Sequence, residues 1–305
     1  MSEFRLSLPA DYRAADTLAY HGRDPVSVSE RVSGCTFEKV LGLGEGPALL
    51  LLDVRAGEAV ARFDRPLGIG EQLVANAIVT RLLGLQSDVV CFAALPAAAA
   101  FSAARPGLRI PLTATVFEAL CWAVIGQQIN LTFAAALRRE MISLAGIAYA
   151  PSGLIAHPEA AAVAAIDPAA LTARRFSRSK ARYLVEAAAA VAVGAPALEA
   201  LEGANAQAIE AALTALRGIG PWTARYVLLR GYGHPDIAPI GDSGLATGLQ
   251  RLGDLATRPN AAEQEAAMEA FAPHRSLATA HLWASLADQS ADKKSRRPAA
   301  EASRR

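Results

Sequence analysis

The chain has 305 residues, with 30 Lys and Arg against 29 Asp and Glu, and a net charge of +1. That length exceeds one typical domain and can bury a sizeable core, and much of its 52% hydrophobic content is alanine, a helix former. No uninterrupted apolar run reaches about 18 residues, which excludes a membrane-spanning helix; Glu3, Arg5, Asp11, Arg13 and Asp16 exclude a signal-peptide core, so a cytoplasmic location is expected.

In chain order, Val26-Ser27-Val28, Thr36–Val40, Ala48–Val54 and Ala59–Phe63 read as strands separated by glycine turns. A helix follows from about Gly70 to Leu83, with Leu73, Ile78 and Leu82 on its apolar side. Ser102–Gly107 is a turn-rich boundary. Beyond it the pattern is helical, broken at Pro151, Pro158, Pro168, Pro196, Gly218, Pro239, Pro259 and Pro273, with no solenoid repeat. The expected organisation is a small α+β domain over residues 1–104, a helical body over 105–288, and a polar, basic tail over 289–305. The tail's composition predicts disorder, with its charge either a non-specific tether to DNA or a solubilising end.

Cys35, Cys91 and Cys121 lack metal-ligand spacing and read as reduced, partly buried thiols. His21, His157, His234, His274 and His281 form no ligand pattern either, so no side-chain metal site is expected. Two stretches concentrate positive charge. Arg174–Arg182 holds five basic residues and no acid, and Arg217, Arg225 and Arg230 follow without an acid among them. Each is a candidate phosphate-facing surface; the bland alternative for the first is a solvated helix start.

The most informative stretch is Leu216-Arg217-Gly218-Ile219-Gly220-Pro221-Trp222-Thr223-Ala224, followed by Asp242. Gly218 can stop one helix in a left-handed conformation, Gly220 permits close approach of a ligand, and Pro221 suits the first turn of the next helix. Amides around Gly218, Ile219, Gly220 and Thr223 would then form an anion site, with phosphate its natural ligand. Downstream, Asp242 follows the Pro239-Ile240-Gly241 turn and precedes a helical run with Leu245 and Leu249. It can be the N-cap of that helix, a catalytic carboxylate, or both.

This hairpin, of the form L-x-G-(I/V)-G-x-x-T-A, with its Pro-Gly-Asp loop resembles the helix-hairpin-helix DNA glycosylases, and the whole is similar to their DNA-3-methyladenine glycosylase II branch. The resemblance runs from Tyr12 to Ala287. It is strongest over Arg105–Asn130 and Leu213–Trp283. It implies an α+β fold: a small N-terminal antiparallel sheet domain, then a mostly helical body of two subdomains. It also implies double-stranded DNA with damaged bases as partner, a monomer associated with the nucleoid, no required cofactor, and Asp242 as the catalytic group. Tyr226 and Trp283 match aromatic positions of the base pocket, with Trp222 beside them either in the pocket or in the core. Gln127 and Gln128 match the loop that fills the gap left by a flipped nucleotide, although some members carry leucine at Gln128. The backbone carbonyls of Thr214, Leu216 and Gly218 match those that hold a cation in some hairpins. Strand-nicking relatives carry a lysine where this chain has Trp222, so a monofunctional enzyme is implied; three cysteines exclude a four-cysteine iron–sulfur cluster. The alternatives are a non-catalytic DNA-binding protein, with Asp242 only a cap, and a glycosylase for another lesion.

Overall fold

The computed structural model describes residues 1–287; the tail expected over 289–305 lies outside them. Near the N-terminus, β1 (Ser2–Ser7), β2 (Glu30–Ser33), β3 (Thr36–Leu43), β4 (Gly46–Arg55) and β5 (Glu58–Phe63) form an antiparallel sheet of order β1-β5-β4-β3-β2. Strand alternation sends Leu50, Leu52 and Val54 of β4 to one face, where they join Phe37, Ala61 and Phe63. The helix Ile69–Leu83 covers that face with Ala75, Ile78, Val79, Leu82 and Leu83. On the opposite face Leu49 packs with Val40, Leu154 and Ala156.

Several local expectations are corrected. Residues 26–28 are not a strand; the chain enters the sheet at Glu30, after a turn around Asp24. β1 and the helix Ala14–His21 were not expected, although Ser2–Ser7 alternates Phe4 and Leu6 with Glu3 and Arg5 in strand fashion. Leu73 is 71% exposed, because five residues of helix turn it about 140° from Ile78. Residues 102–104 end the helix Ala99–Ala104 and turn only from Arg105. The body also contains a two-stranded hairpin, Ile147–Tyr149 with Leu154–Ala156.

The compact units do not follow the linear division expected at residue 104. One comprises Met1–Ser87 and Arg109–His234; the other comprises Asp88–Leu108 and the chain from Pro235. A buried ion network explains why the sheet does not separate from the helices that follow. Lys39 of β3 pairs with Glu30 of β2 and with Glu118 (3.0 Å) on the helix Val116–Gly126. Arg138, on the helix Leu131–Ala145, reaches both carboxylates at 2.9 and 2.7 Å. Burial alone would push Glu118 up, but Lys39, His157 and Arg138 outweigh it and bring its pKa down to about 2. Among the described residues no helix is long and apolar enough to cross a membrane.

Candidate active site

Asp242 lies in the second unit, at the start of the helix Ser243–Leu252. Its Oδ1 accepts the Leu245 N–H at 2.8 Å, as an N-cap should, and the Trp283 indole N–H at 3.0 Å. Two donors on one oxygen leave the carboxylate little freedom to rotate. The approach needs Gly244: a Cβ there would lie 3.0 Å from both Asp242 Oδ1 and Trp283 Cδ1. The loop before Asp242 is clamped along its length. Arg275 grips Asp236 through two bonds of 2.7 and 2.8 Å. The Ser276 hydroxyl accepts the Ile237 N–H and donates to the Ile237 carbonyl, both at 3.1 Å. Buried Gln264 accepts the Gly241 N–H at 2.9 Å, where Gly241 takes a left-handed φ of +87°. Arg275, Ser276 and Trp283 all belong to the helix over residues 275–287.

The hairpin lies in the first unit. The helix Ala206–Thr214 ends through Ala215, the chain reverses at Gly218 (φ +81°), and Pro221–Val227 begins with Gly220 as its N-cap. Gly218 is required on two counts: its φ, and the Tyr183 ring, which lies 2.4 Å from where a Cβ would stand. Gly220 differs. Its φ is −95° and a Cβ would meet nothing within 4 Å, so its surroundings are open. The Ile219 amide, expected to face a phosphate, instead donates to the Leu216 carbonyl at 3.1 Å, and the Ile219 side chain is buried. Among the described residues the N–H groups of Gly218, Gly220 and Thr223 make no such backbone bond.

Gln127 braces this hairpin rather than facing outward. Its amide donates to the Gly218 carbonyl at 2.9 Å and the Thr223 hydroxyl at 3.0 Å. With the Leu216 carbonyl also bonded, two of the three oxygens matched to a cation already hold protein donors. The donor set is thus partly committed, and no step below depends on a metal there. Gln128 is exposed and holds a left-handed φ of +57°, a conformation that costs a non-glycine residue about 1–2 kcal/mol. Lys180 fixes the turn from below, its ammonium donating to the Ile125 (2.5 Å) and Gln127 (2.9 Å) carbonyls at the helix end.

That role removes Lys180 from the basic surface expected over 174–182. Arg174 pairs with Glu140 at 3.3 Å, Arg182 with Glu186 at 3.7 Å, and Arg175 stacks on Phe133. Arg225 pairs with Glu210 at 3.2 Å, and buried Arg230 donates to the Pro111 carbonyl. Part of the apparent positive charge is therefore paired within the protein, at Lys180, Arg225 and Arg230, while Arg174, Arg175 and Arg182 stay at the surface.

Tyr226 and Trp222 stack obliquely, with ring centroids 5.8 Å apart. Burial pushes the Tyr226 phenol up to about 12, while Arg23 and Arg230 act in the opposite sense. Both guanidinium groups lie over the Tyr20 ring, at 4.0 and 4.3 Å, and Arg23 also lies over buried Trp122. Tyr226 thus sits in an aromatic cluster already supplied with cations. Trp283, matched to the same pocket, belongs to the other unit and spends its N–H on Asp242. The sequence did not single out Gln264, Arg275, Ser276, Tyr183 or Lys180 for these roles. Only Asp236 and Arg275 offered a signal, as opposite charges near two helix ends.

The family model described as HhH-GPD superfamily base excision DNA repair protein matches residues 121–274. The chain is 34% identical over 179 residues to the DNA-3-methyladenine glycosylase of Bacillus subtilis (strain 168), a match that covers 58% of this chain and 59% of that protein. The chain thus spans less than two thirds of the length of that relative. Among solved structures, a 3-methyladenine DNA glycosylase from Archaeoglobus fulgidus superposes with a TM-score of 0.80 at 21% identity, covering 92% of this chain and 97% of that one. An 8-oxoguanine glycosylase/lyase of Clostridium acetobutylicum in complex with double-stranded DNA gives 0.73 at 14% identity, covering 92% and 93%. These two likenesses establish the fold, an N-terminal antiparallel sheet followed by a helical body.

Proposed function

We infer that the chain, which belongs to the HhH-GPD superfamily of base excision DNA repair proteins, is a monofunctional DNA glycosylase that releases alkylated purines of the 3-methyladenine type and leaves an abasic site. The observation that carries this reading is the Asp242 carboxylate, fixed by the Leu245 and Trp283 N–H groups. As an N-glycosidic bond breaks, positive charge develops on the sugar, and a carboxylate already oriented stabilises it without reorganising. The same group orients the attacking water. Water adds at the anomeric carbon, the base departs, and the water's spare proton passes to Asp242 or to the base.

The partner is double-stranded DNA with a damaged nucleotide extruded from the stack. The free N–H groups of Gly218, Gly220 and Thr223 would hold a phosphate, and exposed Gln128 would fill the gap and bond the orphaned base. Absence of lyase chemistry is supported by the lysines. The described residues contain two, Lys39 and Lys180, and both ammonium groups are tied to protein acceptors, whereas a Schiff base needs a free amine. A monomer in the cytoplasm, associated with the nucleoid, belongs to the same proposal.

A second substrate class is favoured by one observation. Arg23 and Arg230 beside Tyr226 would repel a cationic base, which favours a neutral lesion such as a deaminated purine. The deciding experiment incubates the protein with methylated duplex DNA and with inosine-containing duplex, identifies the bases released, and adds borohydride to trap any Schiff base. Release of 3-methyladenine without a trapped adduct is expected. Hypoxanthine release alone favours the second class, a trapped adduct refutes monofunctional chemistry, and tight DNA binding with no release makes Asp242 a cap only.

A further inference from the structure

Within the second unit three side chains of different chemistry converge. Asp88 is the N-cap of the helix Val89–Ala93 and accepts the Cys91 N–H at 3.0 Å, which brings its carboxylate and the Cys91 thiol to the same turn. The chain returns to this turn at His274. A ligand atom from each of Asp88, Cys91 and His274 lies within 4.8 Å of the other two. His274 is only 9% exposed, and its buried Nδ1 has no hydrogen-bond partner among the described residues. An unpartnered buried polar atom is costly and calls for a ligand. Sequence spacing did not reveal the group, because the third residue comes from the far end of the chain.

We propose that Asp88, Cys91 and His274 bind a zinc-class divalent cation that ties the segment Asp88–Leu108 to the chain after Pro235. Thiolate, imidazole and carboxylate are zinc's own ligand types, with bonds of about 2.0–2.3 Å. A thiolate in the set disfavours magnesium or calcium, which prefer oxygen alone. Asp88 and Cys91 are both exposed, which leaves their side chains room to turn toward a shared ion. Their exposure leaves the fourth position to water. On binding, the Cys91 thiol gives its proton to solvent as the sulfur–metal bond forms; His274 contributes a neutral nitrogen, and nothing is oxidised or reduced.

The test uses the full chain, freed of metal with a chelator, then titrated with zinc by calorimetry and with cobalt(II) by absorption. One equivalent should bind, with a thiolate-to-cobalt charge-transfer band that disappears in Cys91→Ser. Asp88→Asn, which still caps the helix, and His274→Gln should weaken binding by at least roughly a hundredfold, the upper end of what even outer-shell partners cost. Cys35 is also exposed and lies 3.7 Å from Asp53, so Cys35→Ser is the control and should bind as the parent does. No stoichiometric binding, a band that survives Cys91→Ser, or one lost in Cys35→Ser would overturn the proposal. Should His274→Gln fail to fold, the surface change at Cys91 decides alone.

Discussion

Two substitutions at Asp242 separate its structural role from its proposed chemical one. In Asp242→Asn the remaining carbonyl oxygen can still accept the Leu245 and Trp283 N–H groups, because both now converge on a single oxygen. Asn is also as good an N-cap as Asp. Stability should therefore change by about 1 kcal/mol or less, reflecting only the weaker bond to a neutral acceptor. Loss of the charge should cost base release roughly a hundredfold to a thousandfold, the scale of removing one preorganised stabiliser. Asp242→Ala removes the cap, about 1 kcal/mol, and the charged acceptor of the indole, about 1.5–3 kcal/mol. Its melting temperature should fall by roughly 5–15 °C, at about 2–4 °C per kcal/mol. Base release from alkylated duplex DNA and thermal unfolding, measured on the same preparations, give both quantities. An Asn variant with parental base release would refute catalysis by this carboxylate. An Ala variant as stable as the parent would refute the two-donor clamp.

The hairpin makes an equally sharp contrast. Gly220→Asp enters open space as a favourable cap, so stability should hold or rise while affinity for abasic-site DNA drops more than tenfold; unchanged affinity in a binding titration would mean that no phosphate sits there. Gly218→Ala, facing the Tyr183 ring at φ +81°, should cost roughly 1–3 kcal/mol of stability in denaturant unfolding. Lys39→Met leaves Glu30 and Glu118 to share Arg138 and should cost about 3–5 kcal/mol; a neutral result would show that the network does not bind sheet to helices. Burial pushes His21 down to about 4 from 6.5, so the unfolded chain takes up its proton first. Its contribution is complete above pH 6.5 and fades as pH falls toward 4, by about 1.4 kcal/mol per unit. Unfolding of the parent and of His21→Phe across that range should differ in slope by one proton.

What could be read from the sequence was what neighbouring residues decide. Glycine turns and alternating strands located β3, β4 and β5, and the pattern from Leu216 to Ala224 located the hairpin with its left-handed Gly218. The positions of Asp242 and Gln128 came from motif spacing; Asp242 falls at a favoured helix cap, whereas Gln128 holds an exposed turn whose left-handed φ its local chemistry does not favour. Errors arose where a distant partner decided. Leu73 has the right residue type for a core but the wrong helical phase. The positive run from Arg174 to Arg182 looks free in sequence because its acids, Glu140 and Glu186, stand outside it. The compact units depart from a division at residue 104 for a similar reason, since Glu118 and Arg138 close over Lys39 from far along the chain.

Long-range placement also changes what Asp242 means. Read locally, a carboxylate before a helix is a cap, and capping competes with catalysis as an explanation. The cap bond and the Trp283 bond use the same oxygen, so capping and the proposed chemistry are compatible in one carboxylate. On the proposed reading capping is the means by which the group is oriented: a helix end, an indole, and a loop anchored by Arg275, Ser276 and Gln264 hold one carboxylate in place. Gly244 is the residue that permits this. Adding even a methyl group there pushes on both Asp242 Oδ1 and the indole, so the space beside the carboxylate is as much a part of the arrangement as the carboxylate itself.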